Sequence, residues 1–293
     1  MLYFGPMKFL LFIVSCLLPA ACCFSQLPNS DIWILDIKDS AGQISFHNPV
    51  NITNRKGYDN QPAFSPDGTY ILYSSQRDST GPTDIYKYDL KSKKTSPFTK
   101  TPTSEYSPTF MPDGKHISVI MVEKDSAQRV WKFPVAGGEP SCIMKNVDSA
   151  GYHCWINKDS MAVFVLTRPA FTLQLVNIHS QKAFVIADSI GRTMRTKNGA
   201  LWFTTKAGHF QNVCEYYPGS RRAYIKGLIE GEDFCFYNKN DIWSLSETSV
   251  ISGFMNNKEG APEVADLGKF GITKPARITI SPDGKKLAVV SIR

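Results

Sequence analysis

One ten-residue pattern occurs three times in near copies. Phe64-Ser65-Pro66-Asp67-Gly68-Thr69-Tyr70-Ile71-Leu72-Tyr73 returns as Phe110-Met111-Pro112-Asp113-Gly114-Lys115-His116-Ile117-Ser118-Val119 and as Ile280-Ser281-Pro282-Asp283-Gly284-Lys285-Lys286-Leu287-Ala288-Val289. Weaker copies at Trp155-Ile156-Asn157-Lys158-Asp159-Ser160, Arg195-Thr196-Lys197-Asn198-Gly199-Ala200 and Phe236-Tyr237-Asn238-Lys239-Asn240-Asp241 fill the gap between the last two. The turn residues at 68, 114, 159, 199, 240 and 284 are then 46, 45, 40, 41 and 44 apart. A period of this length marks a domain assembled from repeated small sheets, none of which buries its apolar face alone.

Each anchor carries the chemistry of a tight reversal. Proline fixes φ, the aspartate accepts from backbone N–H groups beyond it, and glycine or asparagine takes the positive φ that closes the turn. The anchor therefore joins the first and second strands of its repeat. Asp84-Ile85-Tyr86-Lys87-Tyr88-Asp89-Leu90 alternates with period two and reads as a third strand, with Val130 to Val135 and Leu173 to Ile178 in the same place in their repeats. No long stretch has a helical period, so the chain is expected to be almost free of helix.

The two ends complement each other. After Gly284 there is sequence for a second strand only, whereas Asp31-Ile32-Trp33-Ile34-Leu35-Asp36-Ile37 looks like a third strand with no first two. Pairing the N-terminal strands onto the last sheet removes two exposed edges. The expected fold is all-β, a six-bladed β-propeller over residues 26–293, closed by N-terminal strands that complete the last blade.

Residues 1–25 read as a signal peptide: Lys8 precedes thirteen apolar or small residues, Phe9 to Ala21, too few to span a bilayer permanently. Cleavage after Ser25 would release a soluble periplasmic protein; a loose lipoprotein signal ending at Cys22 would give an outer-membrane lipoprotein anchored by lipid. No second stretch approaches membrane length, so no transmembrane span is expected. Four cysteines remain beyond the leader, Cys142, Cys154, Cys214 and Cys235, without metal-type spacing, and both two disulfides and four buried thiols fit them. The net charge of +7, one unit of it from Lys8, is spread thinly, without the basic runs or interleaved aromatics that nucleic-acid binding requires.

The segment from Asn51 through Tyr58-Asp59-Asn60-Gln61-Pro62-Ala63-Phe64-Ser65-Pro66-Asp67-Gly68, followed by Ser74-Ser75-Gln76-Arg77-Asp78 and Asp84-Ile85-Tyr86, resembles the repeat of TolB-type propellers, and Thr99 to Gly114 repeats it. TolB itself has a further N-terminal domain that residues 26–293 leave no room for, so the resemblance is to the propeller. It implies a docking platform with partners at the mouth of the central channel. Carried onto this sequence by aligning the anchors, the residues at the mouth are Asn60, Gln61, Glu105, Tyr106, Tyr152, His153, Arg192, Glu232, Asp233 and Arg277. Such a mixed polar rim suits a peptide or a polar sugar, and equally a channel filled by mutually satisfied groups and water.

Catalytic constellations are hard to find. The five histidines, His47, His116, His153, His179 and His209, fall in different repeats, and only His153 is expected near the axis. A Gly-x-Ser-x-Gly elbow and a phosphate-cradling glycine loop are both missing; Val135-Ala136-Gly137-Gly138-Glu139-Pro140 fits a hairpin between outer strands. Asp67, Asp113 and Asp283, one per hairpin, read as turn residues rather than calcium ligands. The expectation is a monomeric, exported, non-enzymatic protein without cofactor or bound metal, holding an envelope protein, peptide or glycan and no nucleic acid. The alternative is a periplasmic metal-dependent lyase or lactonase, because propeller enzymes assemble metal sites from several blades.

Overall fold

The structure, a computed structural model, describes residues 27–237, 241–246, 248, 250–255 and 263–293. The expected leader and the turn residue at 240 lie outside the described residues. Six four-stranded antiparallel sheets follow one another. Blade I is formed by Tyr58–Phe64, Tyr70–Gln76, Asp84–Asp89 and Thr95–Pro97, and blade II by Ser104–Phe110, His116–Val122, Gln128–Pro134 and Ser141–Cys142. Blade III comprises Ala150–Trp155, Ser160–Val165, Thr172–Asn177 and Ala183–Asp188; blade IV, Ile190–Lys197, Ala200–Ala207, Phe210–Tyr216 and Tyr224–Ile229. Blade V contains Phe234–Phe236, Asp241–Leu245, Val250–Met255 and Glu263–Asp266. The only helix among the described residues is one 3-10 turn, Leu267–Phe270.

Blade VI joins the chain ends. Its first two strands are Pro275–Ile280 and Lys286–Ile292, and its outer two are Ser30–Ser40 and Gln43–Asn51. Ile32 pairs with Val290 and Leu35 with Leu287, all four fully buried. Lys286 Nζ meets Asp36 at 2.6 Å and Arg293 Nε meets Asp31 at 2.5 Å, so ion pairs hold both ends of the seam.

The repeated turns behave as their chemistry requires. Asp67 Oδ1 accepts from Ser65 Oγ and from the Thr69 N–H, Asp283 Oδ1 does the same for Ser281 and Lys285, and Asp113 Oδ1 accepts from the N–H groups of Lys115 and His116. Gly68, Gly114 and Gly284 have φ of +68°, +65° and +72°. Each hairpin leads into a second strand such as Tyr70–Gln76 or Lys286–Ile292 whose middle five residues are buried on both faces, because blades pack on either side. Six apolar clusters, one at each blade junction, form the core of the described residues; Leu72, Ile85, Ile117 and Val119 join blades I and II, and Ile32, Val290, Ile71 and Tyr73 join VI and I. No described helix is long and apolar enough to cross a membrane.

Candidate functional site

The innermost strands line the ring's axis, and all five of them outside blade V are bulged. Pairing with the second strand slips between Asn60 and Ala63, Tyr106 and Thr109, Ala150 and Tyr152, Ile190 and Met194, and Pro275 and Arg277. Gln61 and Ser107 take left-handed φ of +58° and +56° at equivalent points of blades I and II. An extra residue at a bulge re-aims the side chains beside it. Three places before the last paired residue of the innermost strands, or four places in blade IV, the six blades supply Gln61, Ser107, Tyr152, Thr193, Asp233 and Arg277. All six line one central cavity of about 410 Å3, with Thr109, Cys154, Arg195 and Thr279 two places further along.

This ring is knitted together across blades. Gln61 Oε1 accepts from the Ser107 N–H at 2.8 Å and from Ser74 Oγ at 2.7 Å. Thr193 Oγ1 donates to Asp233 Oδ2 at 3.0 Å, and the Ile278 N–H to Oδ1 at 3.2 Å. Arg195 and Arg277 approach the same carboxylate at 3.6 and 3.8 Å. Arg277 Nη2 also donates to the Tyr152 hydroxyl at 3.0 Å, its guanidinium 5.0 Å from the ring centre. Burial works against the Arg277 charge, yet Tyr152, Asp233 and Tyr58 beside it hold its pKa above the ordinary arginine value. From blade IV, Arg192 and Arg195 reach past blade V to the carbonyls of Ala276 and Ile278 in blade VI.

Of the ten residues expected at the mouth, six line this cavity: Gln61, Tyr152, His153, Arg192, Asp233 and Arg277. Glu232 pairs with Arg192 at 3.6 Å beside it. Asn60 is buried and accepts from the Gln61 N–H through its side chain. Tyr106 accepts from Thr83 Oγ1 and stands edge-on to Tyr58, whose phenol burial pushes above its ordinary pKa with Arg277, Tyr152 and Arg192 close by. Glu105 goes elsewhere. It is fully buried between blades I and II, where Thr99 and Thr101 donate to it, and burial raises its pKa to about 7 against those bonds, with Asp84 adding to the rise. Ser107, Thr193 and Arg195 were not among the expected residues. Counting six back from Asp67, Asp113 and Asp283 reaches Gln61, Ser107 and Arg277, a signal that blade IV, which has no such aspartate, cannot give.

His153 is held by a chain of donors. Trp155 Nε1 donates to Ser118 Oγ at 2.8 Å, the hydroxyl lies 3.3 Å from the Thr109 carbonyl, and His153 Nε2 is 2.6 Å from that same oxygen. With Ser118 donating to Thr109, the bonds close when His153 carries its proton on Nε2, which leaves Nδ1 as a buried acceptor without a partner. Burial lowers the imidazole pKa to about 4. The four cysteines among the described residues are free thiols, Cys214 and Cys235 buried.

No family model and no curated protein matches this sequence. Solved structures match its shape. A protein assigned as TolB from Agrobacterium tumefaciens is similar at TM-score 0.69 and 13% identity, over 91% of this chain and 99% of its own. TolB from Acinetobacter baumannii is similar at TM-score 0.58 and 12% identity, over 90% of this chain and 64% of its own. The chain has the TolB-like propeller fold. An oligogalacturonate lyase in complex with manganese shares it, at TM-score 0.57 and 13% identity over 88% of this chain and 82% of its own. At such identities the likeness concerns architecture alone.

Whether this TolB-like propeller suits a metal is decided by its donors. Among the described residues no three His, Cys, Asp or Glu side chains come together. Of the five histidines only His153 lines the cavity, and Asp233 is already engaged by Thr193, Ile278, Arg195 and Arg277. The arrangement offers guanidinium, phenol and amide groups to a ligand rather than a coordination sphere.

Proposed function

We propose that this TolB-like propeller is an exported, non-enzymatic binding protein of the bacterial envelope whose channel holds the acidic groups of an extended protein segment, peptide or glycan. One observation carries the reading: three guanidiniums, Arg192, Arg195 and Arg277, converge on the cavity, and only two carboxylates, Asp233 in its lining and Glu232 beside it, pair with them. Each guanidinium has five N–H donors in a fixed fork suited to carboxylates. Asp233 is 2% exposed and already takes two hydrogen bonds, so donors remain for an incoming anion. Tyr152 adds a flat apolar face on which a peptide group or sugar ring can rest. Export follows from the leader, and the envelope as its site of action from export.

The test is calorimetric titration of the protein with an acidic peptide, a short oligouronide, and neutral and basic peptides of equal length. Acidic ligands are expected to bind saturably, more weakly as salt rises, and about tenfold or more weakly in Arg195→Gln. Absence of saturable binding by either acidic ligand, or equal affinity in Arg195→Gln, would refute the proposal.

A further inference from the structure

The outer rims of the six blades are not alike. In blades I, II and V the outermost strand is short: Thr95–Pro97, Ser141–Cys142 and Glu263–Asp266, of three, two and four residues, the last with an acid at each end. Blade VI ends in Gln43–Asn51, which contains Pro49 and His47. These are the devices that keep a sheet edge from recruiting another strand. Blades III and IV lack most of them, ending in the six-residue strands Ala183–Asp188 and Tyr224–Ile229. Blade IV retains Lys226 and Gly227 within its strand, whereas blade III has Ala183-Phe184-Val185-Ile186-Ala187 with no charge, proline or glycine. Phe184 and Val185 are each 61% exposed; they pair regularly with Leu175 and Gln174, and the bulge opposite Leu173 and Gln174 inserts Ile186 after them.

We infer that the blade III rim is a self-association surface, on which Ala183–Asp188 of one copy lies antiparallel to the same strand of a second copy. The charges at its ends choose the occupant and the direction. Lys182 precedes the strand and Asp188 closes it, both exposed. Antiparallel self-pairing sets each lysine beside the other copy's aspartate, while parallel pairing would place like charges together. The same patch meeting itself about a two-fold axis closes after two copies, so association stops at a dimer. Phe184 and Val185 then leave water at its centre, and the outward backbone groups of the strand gain partners. The surface lies at the rim, away from the channel, and replaces the monomer expected from sequence.

Sedimentation and light scattering of the purified protein across a concentration series test this. Twice the chain mass is expected at high concentration. Val185→Lys and Phe184→Glu, both at exposed positions and checked for intact folding by circular dichroism, should weaken association about tenfold or more. Ile225→Lys in blade IV should leave it unchanged. Lys182→Glu should weaken it, and Lys182→Glu combined with Asp188→Lys should restore it, an outcome that general stickiness does not give. A monomer at every concentration, dimer loss in Ile225→Lys but not Val185→Lys, or no rescue by the double exchange would overturn the inference.

Discussion

Arg277 and Tyr152 belong to blades VI and III, which face each other across the ring, and the Arg277 guanidinium donates to the Tyr152 hydroxyl at 3.0 Å. This bond crosses the channel between two residues of the cavity lining, with Asp233 as the guanidinium's nearby counter-charge. Replacing Arg277 by alanine should cost roughly 2–4 kcal/mol in urea unfolding, less than an isolated buried pair because Arg195 stays beside Asp233. Tyr152→Phe, which removes one hydrogen bond and keeps the ring, should cost about 1 kcal/mol. Asp233→Asn combined with Arg277→Ala should cost less than the two changes added together, since each removes the same interaction.

Closure of the ring by blade VI predicts that its seam supports every other blade. Leu35 is fully buried opposite Leu287, and Leu35→Ala should destabilise by about 2–5 kcal/mol. Removing the chain from Pro275 onward deletes the two inner strands of blade VI and bares both Ser30–Ser40 and the face of blade V. Such a chain should fail to give a cooperative transition at all. A truncated protein that unfolds as sharply as the intact one would contradict closure.

The hairpins, the third strands and the seam are all legible in the sequence because each depends on local chemistry: a proline and glycine at a turn, an alternation of period two, an unpaired half-sheet at either end. The channel lining is less so. Anchors fix the strands, but the bulges between anchor and channel insert residues that side-chain pattern does not reveal, and left-handed φ at Gln61 and Ser107 falls on residue types that do not advertise it. Hence Glu105, two positions before the residue that faces the axis, stood among the expected mouth residues while Ser107 did not. Arg195 was hidden for a different reason, since the blade IV turn is Asn198-Gly199 with no aspartate to count from.

The thiols give a direct check on the packing. Two disulfides and four thiols fitted the sequence equally, and the structure holds Cys142, Cys154, Cys214 and Cys235 as free thiols. Burial raises the Cys154 pKa to about 11, and it raises Cys142, Cys214 and Cys235 as well. Thiolates are the reactive form, so alkylation of the folded protein in mildly alkaline buffer should be slow at all four. Alkylation in denaturant without reductant, read by mass spectrometry, should label all four. Any pair that resists until reduced would show a disulfide.

Glu105 and His153 bend the stability in opposite directions as pH changes. The folded state raises the Glu105 pKa from 4.5 to about 7, so its protonated form is favoured in the fold. That contribution is fully present below about 4.5 and is lost as pH rises through about 7, a difference of up to about 3 kcal/mol. His153 falls from 6.5 to about 4, and its contribution is present above about 6.5 and lost as pH drops through 4. Between roughly pH 4.5 and 6.5 the two trends offset each other, so the melting temperature should change little there on their account. Glu105→Gln keeps a neutral group among Thr99, Thr101 and Thr103 at every pH. The variant should therefore melt higher than the parent above pH 7, approach it near pH 4.5, and fall steadily on acidification as His153 alone governs the window. Parallel melting curves for parent and variant across that range would show that the carboxyl is not held neutral by its burial between the blades.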